Sequence, residues 1–295
     1  MILHSNNSVR RCRPFLGTFV EITAWGDNAA LEAAVETAYQ AIQRVHGLMS
    51  FHDSSSELSR LNREAAQHTM TVDPWLFEVL TMAREVAAAS DGAFDPTIAP
   101  ILQRWGLLPS DSSSRCRMES GHWDDLELGP RCQVRFARPL TLDLGGIAKG
   151  FAVDCAVEAL REAGVEFGLV NAGGDLRAFG DREQIVQVRH PKSPGRRSHE
   201  LRLREAAFAT SAPIFSRCET SDGVVSHLVN PVNGFAQVAD LSVSVRAPKG
   251  VLADALTKVV LFGGDIAESV LAQYHSQAFV ISDFEKIPTS AVRGL

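Results

Sequence analysis

TLDLGGIAKGFAVD, residues 141–154, sets an acidic residue, two adjacent glycines and a lysine where a short apolar strand is expected to hand over to a helix. First-turn N–H groups of a helix lack intrahelical partners and carry the positive end of its dipole. Asp143, Gly145, Gly146 and Lys149 together therefore read as an anion held against backbone at a helix start. Glycine permits the close approach that such a ligand needs. The order is not that of a P-loop, because G-x-x-x-x-G-K-[ST] is absent and Lys149 is followed by Gly150 and Phe151.

Downstream of this stretch the pattern predicts a helix from about Ala148 to Ala163, then a strand EFGLVNA (166–172) running into Gly173-Gly174-Asp175, a β-α-β arrangement. Upstream, FLGTFVEITAWG (15–26) reads as a first strand. Asp27 is placed to cap a helix with Leu31, Val35, Ala38, Ile42, Val45 and Met49 on one face. Asp73-Pro74 opens a second helix, carrying Leu76, Val79, Leu80, Ala83 and Val86 inward and ending near Ser90-Asp91-Gly92. Residues 109–139 mix Ser, Pro, Gly and charges, as a loop-rich insertion with a short hairpin does.

From about residue 183 the strands QIVQVRH, HELRLREAAFAT, VVSHLVNP and VADLSVSVRA follow, then helices in DALTKVVLF and GDIAESVLAQYH and a late strand QAFVISD. Helices mixed with antiparallel runs indicate an α+β fold rather than a doubly wound sheet.

The 295 residues are 45% hydrophobic and 22% charged, the composition of an ordinary globular chain. A net charge of −6 argues against a nucleic-acid groove, since phosphate neutralisation leaves a basic excess. An anionic ligand then needs a local device, such as a helix end or a metal. No apolar run approaches the roughly 18–20 residues of a membrane span. The start MILHSNNSVRRCRPF lacks the apolar core of a secretory signal, which gives a cytoplasmic expectation unless the true N-terminus is longer. Five cysteines, Cys12, Cys116, Cys132, Cys155 and Cys218, are odd in number and contain no C-x-x-C, which argues against a zinc knuckle or a disulfide framework.

Five stretches hold more polar residues and glycine than their apolar surroundings require: FLGT (15–18), MSFHDSSSELSRLN (49–62), DGAFDPTIAP (91–100), LDLGGIAKG with NAGGD (171–175), and SHLVNPVNG (226–234) followed by ADALTK (253–258). Met singly, Asp95-Pro96-Thr97 is a helix cap, Gly173-Gly174-Asp175 a turn and Asn233-Gly234 a hairpin turn. Taken in order over nearly the whole chain, DGAFDPT, LDLGGIAKGFAVD, NAGGD, HLVNP with Gly234, and ADAL resemble the FAD:protein FMN transferase family, the ApbE family. Its members move FMN from FAD onto a Thr or Ser hydroxyl of a target protein.

The resemblance implies one α+β, T-fold-related unit over 13–295, with two lobes around a flavin cleft and residues 1–12 as a disordered or extended lead. It implies FAD as substrate, magnesium at the diphosphate and an acceptor protein as partner. Carried over residue by residue, it gives Leu16, His52, Ala93, Phe94, Asp95, Asp143, Lys149 and Leu228 as flavin-dinucleotide contacts. It gives Gly146, Asp254 and Thr257 to the metal, and His227 as the candidate base, a residue type suited to proton transfer near neutrality.

Two positions depart from the family pattern. Asn230 stands where H-[IL]-[IVL]-D-P has its Asp, and Lys258 stands four residues after Asp254, where the family has a hydroxyl. Thr257 completes the magnesium site while Lys258 turns to a phosphate, or the Lys258 ammonium replaces part of the metal's charge, or Thr257 merely bonds back to a helix carbonyl and Lys258 is solvated. Retention of Asp254 and of the glycine turn favours the first. Besides transfer, the same residues suit an FAD diphosphatase that uses water as acceptor, or a flavin-storage protein without turnover.

Overall fold

The computed structural model describes residues 7–26, 28–110, 121–190 and 193–282. Strands β1 (Asn7–Phe15) and β2 (Thr18–Gly26) form a hairpin that closes on two residues, with Phe15 opposite Thr18. Leu16 and Gly17 both have positive φ, 55° and 70°, as a two-residue hairpin turn of the primed type requires. FLGTFVEITAWG, expected as one first strand, is therefore the end of β1, the turn and β2, and residues 7–12 of the expected disordered or extended lead are extended as the sheet's edge. The run RRCR hides the strand because it carries no apolar alternation. Its charges are instead paired, Arg10 with Glu21 at 2.7 Å and Arg13 with Glu36 at 2.6 Å, and a charged edge of this kind also resists edge-to-edge pairing.

Helix α1 (Asn28–Met49) buries all six apolar positions that its periodicity marks; its expected cap, Asp27, lies outside the described residues. Helix α2 (Glu57–Glu64), the short strand β3 (Met70–Thr71) and α3 (Pro74–Ala89) follow, the last capped by Asp73, whose carboxylate accepts from the Trp75 N–H at 2.9 Å. After α4 (Ala99–Arg104), strands β4 (Leu126–Gly129) and β5 (Gln133–Phe136) pair as a hairpin, and β3 adds to its β5 side.

Residues 141–144 are not a strand, so the expected β-α-β crossover is absent. The Leu142 N–H and C=O are met by the side-chain amide of Asn62, each at 2.9 Å, and the Asp143 N–H donates to the Pro96 carbonyl at 2.8 Å. One carboxamide thus supplies the donor and acceptor that a neighbouring strand would supply, and the segment stays extended without a ladder. It leads into α5 (Ala148–Glu162), then β6 (Phe167–Ala172) and β7 (Asp175–Phe179).

The hairpin β8 (Gln184–His190) and β9 (Ser193–Leu203) precedes β10 (Ala206–Ser211), so HELRLREAAFAT is two strands broken at Glu205, which takes a φ of 47°. Of VVSHLVNP only the start is a strand: β11 (Cys218–Thr220) pairs β12 (Gly223–Val225), and the rest is a loop whose Val229 bridges to Ala236 and whose Leu228 carbonyl accepts from the Gln237 N–H at 2.7 Å. The chain continues through β13 (Leu241–Ala247), α6 (Gly250–Phe262), α7 (Ile266–Gln273) and β14 (Gln277–Ser282).

Seven strands make one antiparallel sheet in the order β1-β2-β6-β7-β10-β13-β14. Helices α1, α5 and α6 cover one face around the main core. The β8–β9 hairpin seals the other through Leu176, Val186, Val188, Leu203 and Phe208. Both faces of β7 are consequently buried. Helices α5 and α6 touch at Gly150 and Gly250, where a Cβ on Gly150 would stand 2.5 Å from the Gly250 carbonyl carbon. That contact sets the spacing of the two helices that carry Lys149 and Asp254. Among the described residues no helix is long and apolar enough to cross a membrane.

Candidate functional site

A cavity of about 500 Å³ opens where the loops at one end of the sheet meet the starts of α4 and α5. Its volume falls within the ordinary span for small-molecule sites. Its walls include Leu16 from the β1–β2 turn, Ala93, Phe94 and Asp95 from the loop after α3, and Asp143, Gly146 and Lys149 from the opening stretch. His227 and Leu228 from the loop after β12 join them, as does Lys258 from α6. Asp254 and Thr257 lie directly beneath, almost without exposure. The β6–β7 turn reaches the cavity only because Gly173, at φ 65°, lets it press on β2: a Cβ there would lie within 3.0 Å of the Thr18 side chain.

The floor is a cluster of two carboxylates and two ammoniums. Lys149 pairs with Asp175 and lies 3.4 Å from Asp254 Oδ2, which also accepts from the Gly150 N–H at 3.2 Å in the first turn of α5. Lys258 Nζ donates to the other oxygen of the same carboxylate, Oδ1, and to the Asp254 main-chain carbonyl at 2.9 Å. Burial alone would push the Asp254 carboxyl up, but Lys149 and Lys258 outweigh it and hold it down at about 2. Asp175, buried and facing Asp254, is pushed up instead. Burial would lower Lys149, yet the two carboxylates keep its ammonium above the ordinary lysine value. Lys149 is therefore a fixed cation at the cavity wall.

Asp95 and Asp143 are both raised, chiefly by burial, although Asp95 Oδ1 accepts from the Thr97 N–H at 2.8 Å and Asp143 Oδ1 from the Gly145 N–H at 3.1 Å. Each carboxylate keeps acceptor capacity toward the cavity, since an ionised carboxylate offers about four lone-pair sites. His227 projects from an exposed position into the cavity, which Asp143 also lines. The Asn230 side chain is directed away from that chemistry: its Oδ1 accepts from the Val232 N–H at 3.0 Å while its main chain closes the turn with Gly234 and Phe235. An Asp would make the same turn, so the local fold does not depend on the charge that is missing.

His52 is exposed and stands outside the cavity wall, close enough only to act electrostatically on Asp143. Its neighbour Phe51 packs against the Ala99–Leu102–Trp105 cluster beneath the His227 loop. Asp175, Thr210 and Ser211 line the cavity and were not singled out by the sequence reading. Asp175 sits in the quoted NAGGD and was legible as the one charge in that turn; Thr210 and Ser211 end an apolar strand and carry no pattern that marks them.

The donor set around Asp254 does not fit magnesium. Both carboxylate oxygens face an ammonium, and Thr257 Oγ1 is engaged with the Asp254 carbonyl and with Ser211 Oγ, each at 2.7 Å. Two unit charges 4 Å apart repel by roughly 4 kcal/mol at an effective dielectric near 20, and a dication doubles that for each lysine.

The ApbE family profile matches residues 16–281 of the chain. An FAD:protein FMN transferase from Treponema pallidum is 29% identical over 276 residues, 83% of this chain and 76% of that protein. One from Rhodobacter capsulatus is 30% identical over 71% of this chain, although the match spans only 42% of its own length. Among solved structures, the ApbE protein from Thermotoga maritima superposes with a TM-score of 0.81 at 24% identity, covering 92% of this chain and 93% of that one, a likeness of fold.

Proposed function

The chain belongs to the ApbE family, and from that premise we infer that it is an FAD:protein FMN transferase whose substrate lies in the cavity described above. One observation carries the reading: Asp95, Asp143, Lys149 and His227, drawn from three separate segments of the chain, converge on a single cavity of ligand size. In this assignment Asp95 and Asp143 accept hydrogen bonds from the flavin and ribose groups, and Lys149, fixed by Asp175, offers a charge-assisted bond to the diphosphate. Leu16, Phe94 and Leu228 supply apolar wall.

The reaction exchanges one P–O bond for another. The hydroxyl oxygen of a Thr or Ser on the acceptor protein attacks the FMN-side phosphorus, a new P–O bond forms, and the bond from that phosphorus to the bridging oxygen breaks. AMP leaves with the bridging electrons. The hydroxyl proton passes to His227, and nothing is oxidised or reduced. No step is routed through a metal.

Incubation with FAD and a candidate acceptor protein tests this directly. Flavin fluorescence that stays with the acceptor through denaturing electrophoresis, with one AMP released per flavin attached, is the expected result. Free FMN and AMP with an unlabelled acceptor would replace transfer by hydrolysis, and intact bound FAD would replace both by storage.

A further inference from the structure

Lys258 stands between Asp254 and Gly146, two of the three residues to which the family resemblance gives the metal. Its ammonium is bonded to Asp254 through a side-chain oxygen and the main-chain carbonyl, and its Cε lies 3.3 Å from where a Cβ on Gly146 would be. The side chain is only 15% exposed, and what is exposed faces the cavity. Acid four residues before lysine on one helix is also the favoured orientation for such a pair, so α6 itself presents the ammonium there. Of the three N–H bonds of the ammonium, two go to Asp254, which leaves one for a ligand in the cavity.

We propose that the Lys258 ammonium is a built-in cation that takes the place of a divalent metal at the diphosphate, so that this chain binds FAD and turns it over without magnesium. The inference rests on the flavin-transfer reading of the cavity. Three features of the cluster support it together. Asp254 has an ammonium beside each oxygen, so a hard cation bound there would lie against two fixed positive charges. Thr257, the remaining oxygen donor on that turn, is tied to Ser211. Lys149 and Lys258 are matched by Asp175 and Asp254, so the cluster is balanced without further charge. A lysine at this position gives a weaker, single charge, but one that is always in place and needs no ion from solution. Its part in the chemistry is to hold the diphosphate through a charge-assisted hydrogen bond while the P–O exchange described above proceeds unchanged.

The test uses the full chain stripped with a chelator and compares it with Lys258→Met, which removes the charge, and Lys258→Thr, which restores a hydroxyl. Manganese binding is followed by electron paramagnetic resonance, and FAD affinity by calorimetry with and without magnesium. The wild-type protein is expected to show no saturable manganese site and an FAD affinity that changes less than twofold on adding magnesium. Lys258→Met is expected to bind FAD at least tenfold more weakly. Lys258→Thr is expected to gain a manganese site and magnesium-dependent FAD binding. A saturable manganese site in the wild type, or FAD binding that appears only with magnesium, overturns the lysine assignment and leaves the flavin reading standing. Failure to bind FAD under either condition overturns both.

Discussion

Asp154 and Asp254 cap each other's helices. Asp154, nearly two turns into α5, accepts from the Gly250 and Val251 N–H groups at the start of α6, at 2.8 and 2.9 Å. Asp254, one turn into α6, accepts from the Gly150 N–H at the start of α5. The two helices meet at glycines, so each N-terminus falls within reach of the other's carboxylate. The exchange satisfies first-turn donors that have no intrahelical partner. The partners differ in use: Asp154 is paired with the buried Arg177 at 2.9 Å, whereas Asp254 is paired with lysines that face the cavity.

Asp154→Ala removes two caps and takes from Arg177 its buried partner, although Glu158 remains 3.0 Å from the same guanidinium. Losing one member of a buried pair typically costs about 3 kcal/mol or more. Denaturant unfolding of the variant should show a loss of about that size, while FAD affinity measured on the folded fraction stays within about twofold. A large affinity loss at unchanged stability would move Asp154 from scaffold to site.

The periodic elements were legible before the structure because their signals are local. The inward face of α1, the Asp73-Pro74 start of α3 and the glycine-rich entry to α5 each follow from spacing within one segment. Two of the misreadings share a cause: they depend on a partner far along the chain. Residues 141–144 look like a strand, and only Asn62, eighty positions upstream, makes the ladder unnecessary. The strand at residues 7–15 is concealed by arginines whose carboxylate partners sit on β2 and α1. Within the site, motif order placed Asp143, Lys149 and His227 around one cavity, while the Asp154–Asp254 exchange and the seat of Lys258 require the helix crossing to be known.

Asp143→Asn should separate stability from binding. Burial raises the Asp143 carboxyl above its unfolded value, so the folded state holds that proton more tightly. Its contribution to stability therefore declines as pH rises from about 4 through the folded value, and above that window the buried anion is a net cost. Thermal melts should show the variant gaining on the wild type between pH 4 and pH 7. FAD affinity at pH 7 should fall roughly tenfold or more, the size of a lost charge-assisted hydrogen bond. Equal destabilisation at both pH values would show that the carboxylate's bond to Gly145 outweighs its burial.

His227→Ala should reduce transfer by about a hundredfold or more, the usual contribution of a positioned base, with FAD affinity within about threefold of wild type. Single-turnover AMP release from a saturated complex separates the two effects. Undiminished release would leave the hydroxyl proton to solvent and remove His227 from the reaction.

Leu16 is held at φ 55°, in the left-handed region where a side chain with a Cβ costs roughly 1–2 kcal/mol. The hairpin would close at least as well with glycine there, and the neighbouring Gly17 already shows that the turn needs no side chain. What Leu16 supplies is apolar wall, since it lines the cavity and also packs on the edge of the main core. Leu16→Gly should relieve the strain at an entropic cost of about 0.5–1 kcal/mol, for a net stabilisation near 0.5 kcal/mol. FAD affinity should fall about three- to tenfold as the apolar contact is lost. Melting temperature and calorimetric affinity should thus move in opposite directions. If both fall together, Leu16 is kept for its packing against the core, and the strained turn owes nothing to the ligand.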